Sequence, residues 1–261
     1  MSNDRYTFGD SDAAAHRLAL LARAYEPSSL RFLAGHRVKR AVDLGCGPGF
    51  TTELVSGATG AEVTWGLDAS ERMVGAARAR FPETALAFAA HDVTRAPYPL
   101  EGADVFYARY LFTHLASPRA VFDACAAAAA PGARFLVEDN CALESDDPLF
   151  AGYYARVRQL HAHYGQDMFV GERLPDLAGP GWALASFDRA RIELDGRVMA
   201  RLHAINVRNW RQDPYAVSAF DAAEIDAMAG ALDEVAAGRR EAPLVVCTMG
   251  QAVFTALRGT P

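Results

Sequence analysis

Lysine is almost missing from this chain: among 261 residues only Lys39 is one, against 25 arginines. That bias marks coding composition and carries no chemistry. Positive charge is lacking as a whole. The net charge is −6 and no Lys/Arg cluster exceeds a few residues, so no global field draws nucleic acid. Long apolar runs are also lacking. None reaches membrane-spanning length, and the Ala-rich tract at 126–130 is too short. The opening residues Met1-Ser2-Asn3-Asp4-Arg5-Tyr6 do not show the basic-then-apolar pattern of a secretory signal. Four cysteines (Cys46, Cys125, Cys141 and Cys247) are scattered without a C-x-x-C pair, which suits reduced thiols in a cytoplasmic protein. There is no G-x-S-x-G nucleophile elbow and no metal-ligand cluster. His161 and His163 stand two apart and face different sides of a helix, so no metal is expected.

What is present is ordinary globular material, 51% hydrophobic and 22% charged, enough for one large α/β domain with an added subdomain. Ala14, Leu18, Leu21 and Tyr25 recur at helical spacing over 11–25, and Pro27 is expected to stop that helix before a short one at 28–35. Strands are expected at 38–44, 63–67, 85–89, 104–107 and 134–138. Helices are expected after Gly49, from the Ser70 cap to Arg80, and over 118–129, with Pro131-Gly132 as a turn. This alternation has the period of a parallel sheet. Helices are then expected over 147–164, 171–178, 197–212 and 220–237, with strands at 182–194 and 244–257.

The densest information lies in Ala41-Val42-Asp43-Leu44-Gly45-Cys46-Gly47-Pro48-Gly49-Phe50. An apolar strand carrying an acid runs into three glycines on alternate positions. Glycine lets backbone approach a ligand closely and adopt positive φ. The spacing G-x-G-x-G, with Phe50 after Gly49, departs from the G-x-G-x-x-G of nicotinamide binding. It resembles motif I, D-x-G-x-G-x-G, of class I S-adenosylmethionine (SAM) dependent methyltransferases. Gly66-Leu67-Asp68-Ala69-Ser70 ends the second strand in an acid suited to the two hydroxyls of a ribose. His91-Asp92-Val93 follows the third strand, where an acid and an adjacent N–H suit adenine. Asp104 to Leu115 and Ala129 to Asp139 resemble the fourth- and fifth-strand motifs of the same superfamily, with Ala133 replacing a glycine. Tyr6-Thr7-Phe8-Gly9-Asp10, Arg17-Leu18 and Gly165 to Pro175 are similar to bacterial small-molecule enzymes related to the ubiquinone and menaquinone C-methyltransferases.

That resemblance implies an α/β, Rossmann-like sheet of seven strands in the order 3-2-1-4-5-7-6, with helices on both faces. It implies an N-terminal helical cover (1–35), a SAM-binding core (36–140), a helical substrate cover containing the sixth strand (141–241) and a final core strand (242–261). The cofactor residues would be Arg17, Asp43, Gly45, Cys46, Gly47, Asp68, Ala69, Met73, Asp92, Val93 and Arg109. The acceptor would meet Tyr6, Tyr110, Glu138, Asn140, Tyr154 and Trp210; Tyr107 and Tyr153 also qualify. His114, just past the fourth strand, is the candidate general base. Asp104-Val105-Phe106-Tyr107 replaces the D/N-P-P-Y motif of nucleobase methylation, which points away from DNA. The expected activity is methyl transfer from SAM, giving S-adenosylhomocysteine (SAH), to a sizeable hydrophobic small molecule of natural-product metabolism, by a monomer or homodimer. The same fold could instead run a non-methylating cyclisation or rearrangement, or serve as a non-catalytic binding or regulatory module.

Overall fold

The computed structural model describes residues 12–82 and 84–257. Seven strands form one sheet: β1 (Arg40–Leu44), β2 (Val63–Asp68), β3 (Leu86–Ala90), β4 (Ala103–Arg109), β5 (Ala129–Glu144), β6 (Trp182–Leu194) and β7 (Val245–Ala256). Their order is β3-β2-β1-β4-β5-β7-β6, as the resemblance implies. The first five are parallel, and β7 runs antiparallel between β5 and β6.

Both faces of the sheet are covered, so β1 and β4 are apolar without alternation. Val42, Leu44 and Phe106 pack to one side with Phe122, Phe135 and Trp182. Ala41, Val105 and Tyr107 pack to the other with Leu33, Val55 and Leu136. The helices of this half are α2 (Phe50–Thr59), α3 (Glu71–Arg80) and α4 (Pro118–Ala128). Ser70 caps α3 by accepting the Met73 N–H at 3.2 Å, as its sequence position predicts.

A second core belongs to the cover: α1 (Asp12–Leu33), α5 (Pro148–His163), α6 (Gly196–Trp210), α7 (Pro214–Ala219) and α8 (Ala222–Ala236). Tyr25, Phe150, Tyr153, Met199 and Trp210 pack there against Val245, Cys247 and Met249 of β7. Each of α5 to α8 starts on an aspartate whose carboxylate accepts a backbone N–H of the first turn: Asp147, Asp195, Asp213 and Asp221.

Three expectations change. Pro27 does not stop α1, which runs on to Leu33. Proline removes one helical hydrogen bond, but buried Tyr25, Ser29 and Leu33 on either side hold the helix together. Residues Val170–Leu177 form 3-10 turns in place of an α-helix, with Pro175 inside. Pro131-Gly132 lies within the long β5, whose pairing with β4 shifts register there. Among the described residues no helix is long and apolar enough to cross a membrane.

Candidate active site

The strand ends of β1, β2 and β4 open onto a cavity of about 560 Å³, roofed by α1, α5 and α6. Its size suits a ligand of drug-like dimensions, for which about 300–1,000 Å³ is usual. The floor is backbone. Gly45, Gly47 and Gly49 all have positive φ (69°, 51° and 86°). A Cβ on Gly45 would come within 3.0 Å of Leu111, and one on Gly49 within 3.0 Å of Phe81 and Phe88. The N–H groups of Gly45 and Cys46 donate to the Leu67 carbonyl at 2.8 and 3.0 Å, which ties the turn to β2.

Asp68 clamps the same turn. Its Oδ2 accepts the Gly47 N–H and its Oδ1 accepts the Ser70 N–H, both at 2.8 Å. The side chain lines the cavity beside Ala69 and buried Met73. Asp92 and Val93 complete this wall. Asp92 accepts from the Thr94 N–H and hydroxyl and pairs with Arg95 at 3.0 Å. Partial burial pushes its carboxyl up, but the Thr94 bonds and Arg95 outweigh that and hold it below the usual range.

Asp43 stands behind the floor and does not line the cavity. It is 1% exposed and accepts the hydroxyls of Thr51 and Thr52 at 2.6 and 2.7 Å, joining β1 to the first turn of α2. Burial pushes its carboxyl up to about 7, against the lowering effect of the two threonines and Arg109. Arg109 reaches the cavity, but its guanidinium donates to Ser29 of α1 at 2.8 Å. Glu138 is buried off the cavity, accepting from Tyr107 at 2.5 Å and Gln251 at 2.7 Å.

Of the expected acceptor residues, Tyr110, Asn140 and Tyr153 line the cavity, the first two joined by a 2.9 Å bond from the Tyr110 hydroxyl. Tyr110 holds a left-handed φ of 56°, a conformation that costs energy in a bulky residue and gathers at functional sites. Tyr154 and Trp210 lie one layer back. Tyr154 shares a hydrogen bond with His203, and Trp210 stacks on Tyr153 at 5.5 Å. Tyr6 lies outside the described residues.

His114 ends the 3-10 turn Phe112–His114 and lines the cavity with Arg17. The turn is pinned by Asp139, which accepts the Thr113 N–H at 3.2 Å and its hydroxyl at 2.7 Å. His161 of α5 meets His114 edge to face, ring centroids 5.7 Å apart. Burial, then His161 and Arg17, holds the His114 imidazole neutral far below its ordinary range. Burial likewise lowers His161 to about 4.

Sequence reasoning missed His161 as a cavity residue, and it missed Met199, Leu202, His203 and Asn206 of α6, all of which line it. The signal was available. These α6 positions follow i, i+3, i+4, i+7 spacing, and two polar residues interrupt an otherwise apolar stripe.

Parts of this chain are similar in sequence to known proteins, and its fold is similar to solved structures. Residues 42–137 match the family described as Methyltransferase domain. Trans-aconitate 2-methyltransferase of Rhizobium leguminosarum bv. trifolii is 39% identical over 102 residues, which are 39% of each chain. The chain spans about a third to a half of the length of the curated relatives it matches. Among solved structures, the Haloferax volcanii methyltransferase in complex with its Trm112 activator superposes with a TM-score of 0.56 at 19% identity, covering 95% of both chains. Haemonchus contortus phosphoethanolamine N-methyltransferase 2, solved with S-adenosylhomocysteine, gives 0.51 at 15% identity over 94% of this chain and 53% of that one. At such identities the likeness is one of fold.

Proposed function

We propose that this chain, a class I SAM-dependent methyltransferase by its fold and by residues 42–137, transfers a methyl group from SAM to a small-molecule acceptor held under α1, α5 and α6. The carrying observation is the Asp68 clamp: a carboxylate that fixes the glycine floor while its side chain lines the cavity. The residues fit the cofactor. Asp68 would hold the ribose hydroxyls, and Asp92 with the Val93 N–H would face the adenine. Gly45 and Gly47 leave room for the amino-acid end, with Arg17 near its carboxylate. SAM, when bound, supplies a methyl carbon already activated by its sulfonium.

The chain's own work is then alignment, exclusion of water and removal of a proton where the acceptor carries one. The cover excludes water. His114, neutral and at the cavity wall, would take the proton as base. Asp43, set behind the floor, would act by fixing the turn. Trans-aconitate, named for the relatives, is one acceptor to test, and an apolar natural product is another. The division into core and cover and the cytoplasmic location belong to the same reading.

Calorimetric titration with SAM and SAH tests it. Micromolar binding of both and conversion of SAM to SAH with a methylated acceptor are expected; a folded sample that binds neither overturns the assignment. His114→Gln is expected to lower turnover while SAM affinity stays unchanged. The wild-type rate profile should show no ionisation near about 6.5, the ordinary histidine value. Wild-type turnover in that variant removes the base from His114.

A further inference from the structure

Resting on the reading of the cavity as a methyl-transfer site, we infer that its cover half takes an uncharged, largely apolar acceptor that offers a hydroxyl or N–H to the Asn206 amide oxygen beside His203, and that it rejects polycarboxylates. The wall on this side is apolar: Leu21, Leu143, Val157, Met168, Met199 and Leu202 face the space. Two polar side chains of α6, three residues apart on one face, break it.

Asn206 is 2% exposed. Its Nδ2 donates to the Tyr153 hydroxyl at 2.6 Å, and its Oδ1 has no hydrogen-bond partner among the described residues. His203 is equally buried, stacked on Tyr153 at 4.0 Å and met edge-on by Phe150 and Tyr154. Its Nε2 shares a 3.2 Å bond with the Tyr154 hydroxyl, and its Nδ1 has no partner among the described residues. Folded proteins pair nearly all buried polar groups, so two open ones on one face beside a cavity mark a place for a ligand's polar group. An amide oxygen asks for a donor, which a hydroxyl or N–H supplies and a carboxylate does not.

Charge points the same way. Burial holds His203 down at about 3 and His161 at about 4, so both are neutral. Among the described lining residues the guanidiniums are Arg17 and Arg109, and Arg109 is engaged by Ser29. A molecule with three ionised carboxylates would leave water for a largely apolar wall whose His203 and His161 imidazoles are neutral, an unfavourable exchange.

The test uses four probes on the whole protein, each titrated with and without SAH: 2-naphthol, naphthalene, 2-naphthoate and trans-aconitate. The expected result is 2-naphthol binding about tenfold or more tighter than 2-naphthoate, with trans-aconitate weaker still. Asn206→Leu should remove most of the preference for 2-naphthol over naphthalene while SAH affinity is retained. If that variant does not fold, Leu202→Trp is used, and it should exclude 2-naphthol and leave SAH binding intact. Tighter binding of trans-aconitate than of 2-naphthol, or naphthol affinity indifferent to both variants, overturns the inference. Loss of SAH binding with naphthol binding retained instead sinks the methyl-transfer reading and leaves the chamber's selectivity standing.

Discussion

The two halves of the cavity are held in different ways. The sheet half is backbone and short acids: a glycine turn tied by two N–H bonds to Leu67 and clamped by Asp68. The cover half is side chains, Tyr153 on Trp210 and His203 on Tyr153, with apolar residues between. Helices next to the floor start on Gly49 or Ser70, where chain direction matters, whereas α5 to α8 all start on aspartate caps, where only helix onset matters. A ligand common to many enzymes can be met by backbone geometry. A ligand peculiar to one enzyme needs side chains that change without disturbing the fold.

The sharpest way to break this contrast is at the join. Gly171 packs so closely on the Asp139 and Asn140 backbone that a Cβ has no room, and Gly250 faces it from β7. Gly171→Ala is expected to cost about 3 kcal/mol and lower Tm by about 6–12 °C. An unchanged melting curve would mean the 170–177 turns do not pack tightly on β5.

Next comes Asp68→Ala, which removes the floor's clamp and should weaken SAM by more than about tenfold, since hydrogen bonds to a charged group are worth about 1.5–3 kcal/mol each. An equal loss for an acceptor-half substitution such as Leu202→Trp would erase the division between the halves.

A smaller effect tests the buried acid behind the floor. Asp43 has a folded-state value near 7, above the ordinary 3.8. A raised carboxyl favours the native state at low pH and loses that advantage as pH climbs from the ordinary value to the folded one. The Tm of unliganded wild type relative to Asp43→Asn should therefore fall between those values and level off above the upper one; a gap that ignores pH contradicts the burial. The smallest effect is on the cover's outside. Arg156 pairs with Glu224 at 2.7 Å across α5 and α8, and Arg156→Ala should change stability by no more than about 1 kcal/mol.

The same contrast decided what could be read in advance. The strand order follows from the family resemblance, the glycine turn and the strand-end acids Asp68 and Asp92 are legible from spacing, and Met73 and His114 line the same cavity. Asp43 was misplaced by one layer: spacing puts an acid near a strand end but does not say which face it takes, and Thr51 and Thr52 capture it. Glu138, Tyr154 and Trp210 were read as facing the acceptor because their residue types suit one, yet packing turns each away. The α6 residues that line the cavity were not foreseen. Helical spacing puts His203 and Asn206 on one face of α6, but the α5 partner Tyr153 against which they pack is not encoded locally.

β7 carries a consequence for how the protein is made. It lies between β5 and β6 yet leaves the ribosome after both, and after all of α5 to α8. Val245, Cys247 and Met249 are the floor on which the cover's core rests. A nascent chain halted before them holds two bare strand edges and four helices with nothing to rest on, the kind of surface chaperones retain. The cavity therefore closes late in synthesis, and a chain interrupted before β7 holds no part-formed site.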